Sequence, residues 1–426
     1  MQHVIHSHKS LLIIGAGILQ AYFIKEAKSL GLYVIATDGD CNALGFADAD
    51  ECHVLDTYNW KGHALFASEL RDSHPCKLIG VATCGSDTAH SVAAAAEIAG
   101  LRGIPLKVAH LTHNKGAVRE ALSYADVDCY QPRYLIAMSY CSTNYRAIVI
   151  EERCILGGFP IVVKPLEQRA SRGISIVQNK VQFHEAVTKV LPYGEEYLLE
   201  ECLVGTEHSV EGIFGEAGEL IWFNIVDRIF TYENGLALEI GHVNPTKLDT
   251  HVQQQMLLMF LAAARALDVS WGAFKIDAIL TADGPKILEV TARLSGGFES
   301  QVTSPMTGRH PMRALLQLSC GMEIDVQKNI KDAEGYAACC GIFARKQGVL
   351  QALPLWEEND EEFCGGVWCC KSGDTIGPAQ HCAERLGFVF AYASNYGEAW
   401  LKARREAELL EGLIVELTDS GGADGI

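Results

Sequence analysis

The stretch KILEVTARLSGGF, Lys286 to Phe298, reads as a strand that opens into a glycine turn. A short apolar run, Ile287–Leu288, leads into a carboxylate, Glu289. A hydroxyl follows two residues on at Thr291, a guanidinium two further on at Arg293, and then Ser295-Gly296-Gly297. Just upstream, FKIDAILTADGPKILEV has the form of a hairpin with its turn at Asp283-Gly284. Asp277 lies near the middle of its first strand and Glu289 near the end of its second. Pairing the two centres the hairpin at residue 283, so these carboxylates are expected as near cross-strand neighbours. Side by side they repel and raise each other's pKa unless a cation intervenes. Hard oxygens on adjacent strands suit Mg²⁺, which keeps few protein ligands and completes its shell with phosphate and water. A solvated strand pair with its charges facing outward would carry the same residues.

The residues before the hairpin bear on that choice. Lys164 ends the buried run PIVVK, where an ammonium is costly unless an anion meets it. RASRG, Arg169 to Gly173, follows at once, and such a loop can fold over phosphates with backbone N–H groups as donors. EECLVGTE then supplies Glu200 and Glu201 in an extended segment and Glu207 past a bend near Gly205. That suits an adenine edge read by backbone groups and a ribose diol held by a carboxylate. Each piece also has a plain reading: a snorkelling lysine, a loop, a solvated edge.

The bulk numbers exclude several classes. At 426 residues, 49% hydrophobic and 21% charged, the chain has the composition of a folded protein of two to four domains. A net charge of −18 argues against nonspecific nucleic-acid binding, which rests on basic side chains neutralising phosphates. MQHVIHSHKS does not have the form of a secretion signal, and the richest apolar run, MLLMFLAAARAL, breaks at Arg265, so no membrane span and a cytoplasmic location are expected. The 15 cysteines are odd in number and contain no C-x-x-C, which fits reduced thiols used as small core residues. His3, His6 and His8 are read as part of a floppy tail.

The first hundred residues alternate buried runs and helical patterns (SLLIIGAG, LQAYFIKEAKSLG, LYVIATD, KLIGVATCG, DTAHSVAAAAEIAG), the signature of βαβ units on a parallel sheet. GAGILQ, Gly15 to Gln20, followed by Asp38 at the end of the next strand, gives most of a dinucleotide fingerprint. Gln20 stands where the third glycine belongs, which weakens an NAD-dependent oxidoreductase reading. THNKGAVREAL reads as a helix capped by Thr112 or Asn114, and THVQQQMLLMFLAAARALDV as a long helix.

Taken together and in this order, the pieces resemble the ATP-grasp ligase superfamily. The order and spacing of the motifs carry the resemblance, and it covers nearly the whole chain. It implies an α/β fold: a Rossmann-like N-terminal domain at 1–105, an ATP-grasp domain at 106–325 with a lid subdomain at about 145–205, a C-terminal α/β subdomain at 335–415, and a tail at 416–426. The C-terminal likeness, through GVLQALP, KSGDTIG and RLGFVFAYASNYGEAW, is to the carbamoyl-phosphate-synthetase and biotin-carboxylase type.

The resemblance also implies roles. Lys115 and Lys164 look like the two phosphate-holding lysines, and Ser171, Arg172 and Gly173 like the phosphate loop. Glu200, Glu201 and Leu203 match the adenine hinge, and Glu207 the ribose acid. Asp277 and Glu289 match the carboxylates for Mg²⁺ (or Mn²⁺). Arg293 matches the arginine at the transferring phosphoryl group, and Ser295, Gly296 and Gly297 the loop that approaches a substrate carboxylate. EIGHVNP, Glu239 to Pro245, resembles a substrate-side segment of the amino-acid ligase branch, although His242 also suits a core histidine. Two positions depart from the pattern: Thr291 stands where most relatives have Asn, a shorter oxygen for a second metal ion, and Asp277 often is Glu.

These matches imply an ATP-dependent carboxylate–amine ligase working through an acylphosphate, with small-molecule carboxylate and amine substrates, an amino acid among them. A homodimer is common in the superfamily. Carboxylation with bicarbonate is the alternative within the class. A catalytically silent nucleotide-binding protein is the alternative outside it, and Thr291 is the residue that keeps it open.

Overall fold

The computed structural model describes residues 9–125, 127–138, 156–168, 172–233, 236–325, 333–354, 363–379 and 381–419. Strands β1 (Lys9–Ile14), β2 (Tyr33–Asp38), β3 (Glu51–Val54) and β4 (Lys77–Ala82) form a parallel sheet in the order β3-β2-β1-β4. Helix α1 (Ile18–Ser29) joins β1 to β2, α2 (Trp60–Ser73) joins β3 to β4, and α3 (Ala89–Ile98) follows β4. In β1, Leu11 and Ile13 pack toward α1 while Leu12 and Ile14 pack toward α2 and α3. Both faces are covered, so the strand reads as an unbroken apolar run. Gln20 folds back over the glycine turn and its amide donates to the Cys84 carbonyl. Asp38 accepts from Ala16 N at 2.7 Å. The acid and the glutamine of the apparent dinucleotide motif are thus engaged in holding the turn.

Helices α4 (Leu106–Leu111) and α5 (Lys115–Tyr124) lead out of this layer. Asn114 caps α5, accepting from Ala117 N at 2.9 Å, whereas Thr112 donates back to Val108 O at 3.0 Å within the preceding turn. A second, antiparallel sheet follows, built from β5 (Tyr134–Met138), β6 (Ile161–Pro165), β7 (Ser175–Val177) and β8 (Glu196–Glu201) in the order β5-β8-β6-β7. Helix α6 (Lys180–Val190) packs on it through Phe183, Ala186 and Val190.

The third sheet is antiparallel throughout and has eight strands. They are β9 (Thr206–Phe214), β10 (Leu220–Glu233), β11 (Leu236–Asn244), β12 (Gly272–Thr281), β13 (Gly284–Thr291), β14 (Tyr336–Ile342), β16 (Phe363–Trp368) and β18 (Gly387–Ala393), in the order β13-β12-β9-β10-β11-β14-β18-β16. The short strands β15 (Gly348–Val349) and β17 (Thr375–Ile376) pair separately. The strands of the 335–415 segment therefore extend the sheet that carries β9–β13, through the pairing of β11 with β14.

One face of the large sheet is apolar: Val210, Phe274, Ile276 and Val290 pack on Met256, Met259 and Phe260 of α7 (Thr250–Ala266). The alternate residues make the other face polar. Ser209 and Glu211 stand opposite Asp277 and Lys275, which in turn stand opposite Glu289 and Thr291. Helix α8 (Pro311–Ser319) packs against the N-terminal layer, and α9 (Tyr396–Asp419) closes the C-terminal strands. Helix α9 runs four residues into the expected tail, because no glycine or proline stands between Leu413 and Ser420.

Asp277 pairs with Glu289 as expected, by a route the residue count does not reveal. Near the turn, Thr281 pairs with Gly284 and Ala278 with Ile287; beyond it, Asp277 pairs with Glu289. Leu288 is the extra residue of a β-bulge, which lets two successive side chains, Leu288 and Glu289, reach the same cavity. In a regular ladder Glu289 would point to the apolar face. Gly205, between β8 and β9, is a second fixed point: a Cβ there would lie 2.0 Å from Leu280 O.

Among the described residues no helix is long and apolar enough to cross a membrane. Cys84, Cys339 and Cys340 are thiols buried in the core. Histidines 3, 6 and 8 lie outside the described residues.

Candidate active site

A cavity of about 570 Å³ lies between the small antiparallel sheet and the polar face of the large one. It gathers Lys115, Lys164, Arg172, Gly173, Glu200, Glu201, Leu203, Glu207, Asp277 and Glu289 from residues scattered over half the chain. Ser171 lies outside the described residues.

Lys164 meets the anion its burial demands: its Nζ is 2.6 Å from Glu200 Oε2. Glu200 Oε1 accepts from Arg119 Nε at 2.7 Å, completing a triad in which Glu200 is 1% exposed. Burial alone would push the Glu200 pKa up, but Arg119 and Lys164 hold it below the usual carboxylate range. Arg119 also donates to the carbonyl of the bulge residue Leu288 at 2.9 Å, tying the triad to the hairpin. The Glu200 side chain is thus turned into this triad. Glu201 is held by Arg133 at 2.7 Å.

Lys115, on the first residue of α5, reaches Glu289 at 2.9 Å and the carbonyl of Gln168 at 2.5 Å. Asp277 is bound by Lys275 at 2.6 Å and approached by Arg228 at 3.4 Å. Burial works to raise the Asp277 pKa, and the two cations more than offset it, holding it low. The repulsion expected of the carboxylate pair is therefore relieved by a separate lysine on each side. Arg228 also reaches Glu207 and Glu239, each at 3.1 Å. Despite burial, the three surrounding acids lift its pKa well above that of a free guanidinium. For Glu207, burial outweighs Arg228 and its pKa rises.

The donors fit a hard cation. Asp277 and Glu289 supply carboxylate oxygens, and Thr291 Oγ1 is buried with no hydrogen-bond partner. Among the described residues no three His, Cys, Asp or Glu side chains converge as a ready-made metal cage. That is the expected donor set for Mg²⁺, which relies on phosphate and water for most of its shell.

The remaining expected site residues lie elsewhere. Arg293 is outside the wall of the large cavity; its Nε binds Asp87 at 2.7 Å, beside a cavity of about 40 Å³ next to β4. Burial opposes its charge, but Asp87 keeps its pKa above the usual value. Ser295, Gly296 and Gly297 follow, with Ser295 N donating to Glu211 Oε2 at 2.9 Å. His242 is 2% exposed and shares a hydrogen bond with Thr303 Oγ1 at 2.9 Å; burial pushes its pKa down to about 4, so the ring is neutral. Arg119, Arg228, Lys275 and Asp87 were not picked out in the sequence. Lys275 stands two residues before Asp277, and the period-two alternation there was a usable signal. His381, a further wall residue, has no such signal.

Residues 157–301 match the ATP-grasp domain family. Among solved structures, the L-amino acid ligase from Bacillus licheniformis superposes with a TM-score of 0.75 over 94% of this chain and 97% of that one, at 19% identity. The chain has the ATP-grasp fold. In sequence it is 26% identical over 270 residues to carnosine synthase 1 of Gallus gallus, covering 55% of this chain and 28% of that protein. It is 28% identical over 188 residues to the D-alanine–D-alanine ligase of Cupriavidus pinatubonensis, covering 43% and 54%. The chain thus spans about half or less of the curated relatives it matches.

Proposed function

We propose that the chain is an ATP-dependent carboxylate–amine ligase, forming an amide through an acylphosphate, with an amino acid as one substrate. The observation that carries this reading is the paired set in one cavity: Asp277 and Glu289 across the bulged hairpin, faced by Lys115 and Lys164. The names of the relatives point the same way, since D-alanine–D-alanine ligase and L-amino acid ligase name amino acids as what they join.

The residues divide the work. Val162, Ile176, Ile279 and Leu288 give the cavity an apolar wall for an adenine ring, beside the backbone of Glu201 and Leu203. Glu207 is the acid for the ribose hydroxyls. Lys115, Lys164 and Arg172 are the cations for phosphate oxygens, exchanging their present carboxylate and carbonyl partners for them. Asp277, Glu289 and Thr291 would hold Mg²⁺, which when bound neutralises phosphate charge. Phosphoryl transfer of this kind needs positioning and charge neutralisation more than covalent help from side chains. Closure of the small sheet over the cavity excludes the water that would hydrolyse an acylphosphate.

The test is ADP and phosphate release from Mg-ATP with pools of amino acids and small carboxylates, each with and without bicarbonate. Release that needs a carboxylate and an amine supports the ligase. Dependence on bicarbonate would replace it with carboxylation, and ATP binding without release from any pool would favour a silent nucleotide-binding protein.

A further inference from the structure

The polar face of the large sheet continues past the cavity, and the segment 293–304 folds back over it as a roof. Ser295 N and Ser300 Oγ donate to Glu211 Oε2 at 2.9 and 3.2 Å. Asn244 Nδ2 donates to Thr303 Oγ1 at 3.2 Å and to Ser304 Oγ at 2.8 Å. Two acceptors under this roof are left over. Glu299 is 4% exposed, and its Oε2 is buried with no hydrogen-bond partner. Gln301 Oε1 is in the same position. The Gln301 amide nitrogen donates to Ser295 O at 3.3 Å, an acceptor-only carbonyl that fixes which way the amide points.

The placement of Glu299 is enforced. It follows Phe298, whose φ of +70° is strained for a bulky residue and is held by packing on Phe388 and Phe390, with ring centroids 4.8 and 5.2 Å away. On the other side of Phe298, a side chain at Gly297 would meet nothing within 4 Å, so open space adjoins this turn. The charged groups facing Glu299 are Lys275 from β12, Glu211 from β9 and Glu239 from β11, and Ser209 hydrogen-bonds to it. Lys275 is already bound to Asp277. Burial pushes the Glu299 pKa up to about 7, with Lys275 opposing the shift and the two acids adding to it. Buried acceptors without donors, next to an excess of acids, suit a cation rich in N–H groups and reject a phosphate or carboxylate.

We propose that Glu299 receives the ammonium group of the amine substrate and accepts its proton before the bond forms. This rests on the ligase reading above. The ammonium gives one proton to the Glu299 carboxylate. The neutral amine then attacks the acyl carbon of the acylphosphate: the C–N bond forms, the C–O bond to phosphorus breaks, and the electron pair leaves on the phosphate oxygen. The second N–H proton goes to the departing phosphate, which leaves as hydrogen phosphate.

The halves of the reaction can be read separately on the full chain. Hydroxylamine, uncharged at neutral pH, traps an acylphosphate as a hydroxamate and brings no ammonium. Glu299→Gln keeps the shape and removes the proton acceptor. With Mg-ATP and the carboxylate found from the amino-acid pools, this variant is expected to make hydroxamate at close to the wild-type rate. Its kcat/KM for the amine is expected to fall about a hundredfold or more, with partial recovery as the pH rises and the amine loses its proton in solution. Equal amide synthesis by variant and wild type overturns the proposal. So does parallel loss of hydroxamate and amide, which would place Glu299 in the first half-reaction or in folding. Failure of the wild type to make either product from any pool would remove the ligase reading itself, and the proposal with it.

Discussion

Asp277 and Glu289 stand opposite each other across the β12–β13 hairpin, yet each is neutralised by its own lysine, Lys275 at 2.6 Å and Lys115 at 2.9 Å. A metal ion at this pair must displace those ammonium groups, and the phosphates must take up at least Lys115. Glu289→Gln keeps the volume and removes the charge that drives the exchange. Mg-ATP-dependent ADP release is expected to fall about 10²- to 10³-fold. The melting temperature should stay near that of the wild type, since the side chain is 28% exposed. Near-normal release by this variant would falsify the metal assignment.

Thr291 Oγ1 has no protein partner to lose. Thr291→Val should therefore leave stability unchanged or slightly higher. The Mg²⁺ concentration that gives half-maximal ADP release should rise severalfold, with activity recovered at saturating metal. An unchanged metal titration would take Thr291 out of the donor set.

Arg293 is bound to Asp87, 206 residues away, and not to the wall of the large cavity. Arg293→Ala is expected to abolish turnover while changing ATP affinity, measured by calorimetry, by no more than a few-fold. A large loss of ATP affinity would show that Arg293 contacts the nucleotide directly.

The Arg119–Glu200–Lys164 triad is buried, and a broken buried pair leaves an uncompensated charge. Arg119→Met should lower the unfolding free energy by about 3–5 kcal/mol in urea titrations. A loss below about 1 kcal/mol would mean that Lys164 alone satisfies Glu200.

The Glu299 carboxyl has its pKa raised from 4.5 to about 7 in the folded chain. Between those values the folded state keeps a proton that the unfolded chain has released. That contribution to stability is full below about pH 4.5 and is lost as the pH rises through 7. Glu299→Gln carries no such proton. The difference in melting temperature, variant minus wild type, should therefore grow between pH 5 and pH 8. A difference independent of pH would show that Glu299 is ionised throughout.

What the sequence made legible was local. The Asp283-Gly284 turn lies within its own hairpin, and the Asn114 cap lies three residues from the N–H it accepts. Both can be read from turn and cap chemistry alone. The order of motifs then set the fold. What was not legible depends on register and distance. Arg228 sits in an ordinary strand sequence and gains its partners only because β10 pairs with β9 and β11. Asp87 gains its meaning from Arg293, far along the chain. The Leu288 bulge leaves no mark in a pattern of apolar residues, although the position of Glu289 depends on it. GAGILQ misleads in the opposite direction, because its local form matches a motif whose chemistry Gln20 and Asp38 here divert to holding the turn.

The roof over the polar face comes from one unbroken run, 293–304, whereas the floor beneath it is assembled from five strands, β9 to β13, spread between Thr206 and Thr291. Floor and roof are therefore free to diverge at different speeds. Exchanging a dozen contiguous residues would reshape the roof and leave the strands that carry Asp277 and Glu289 as they are. Recombination of a single short gene segment would be enough to do so.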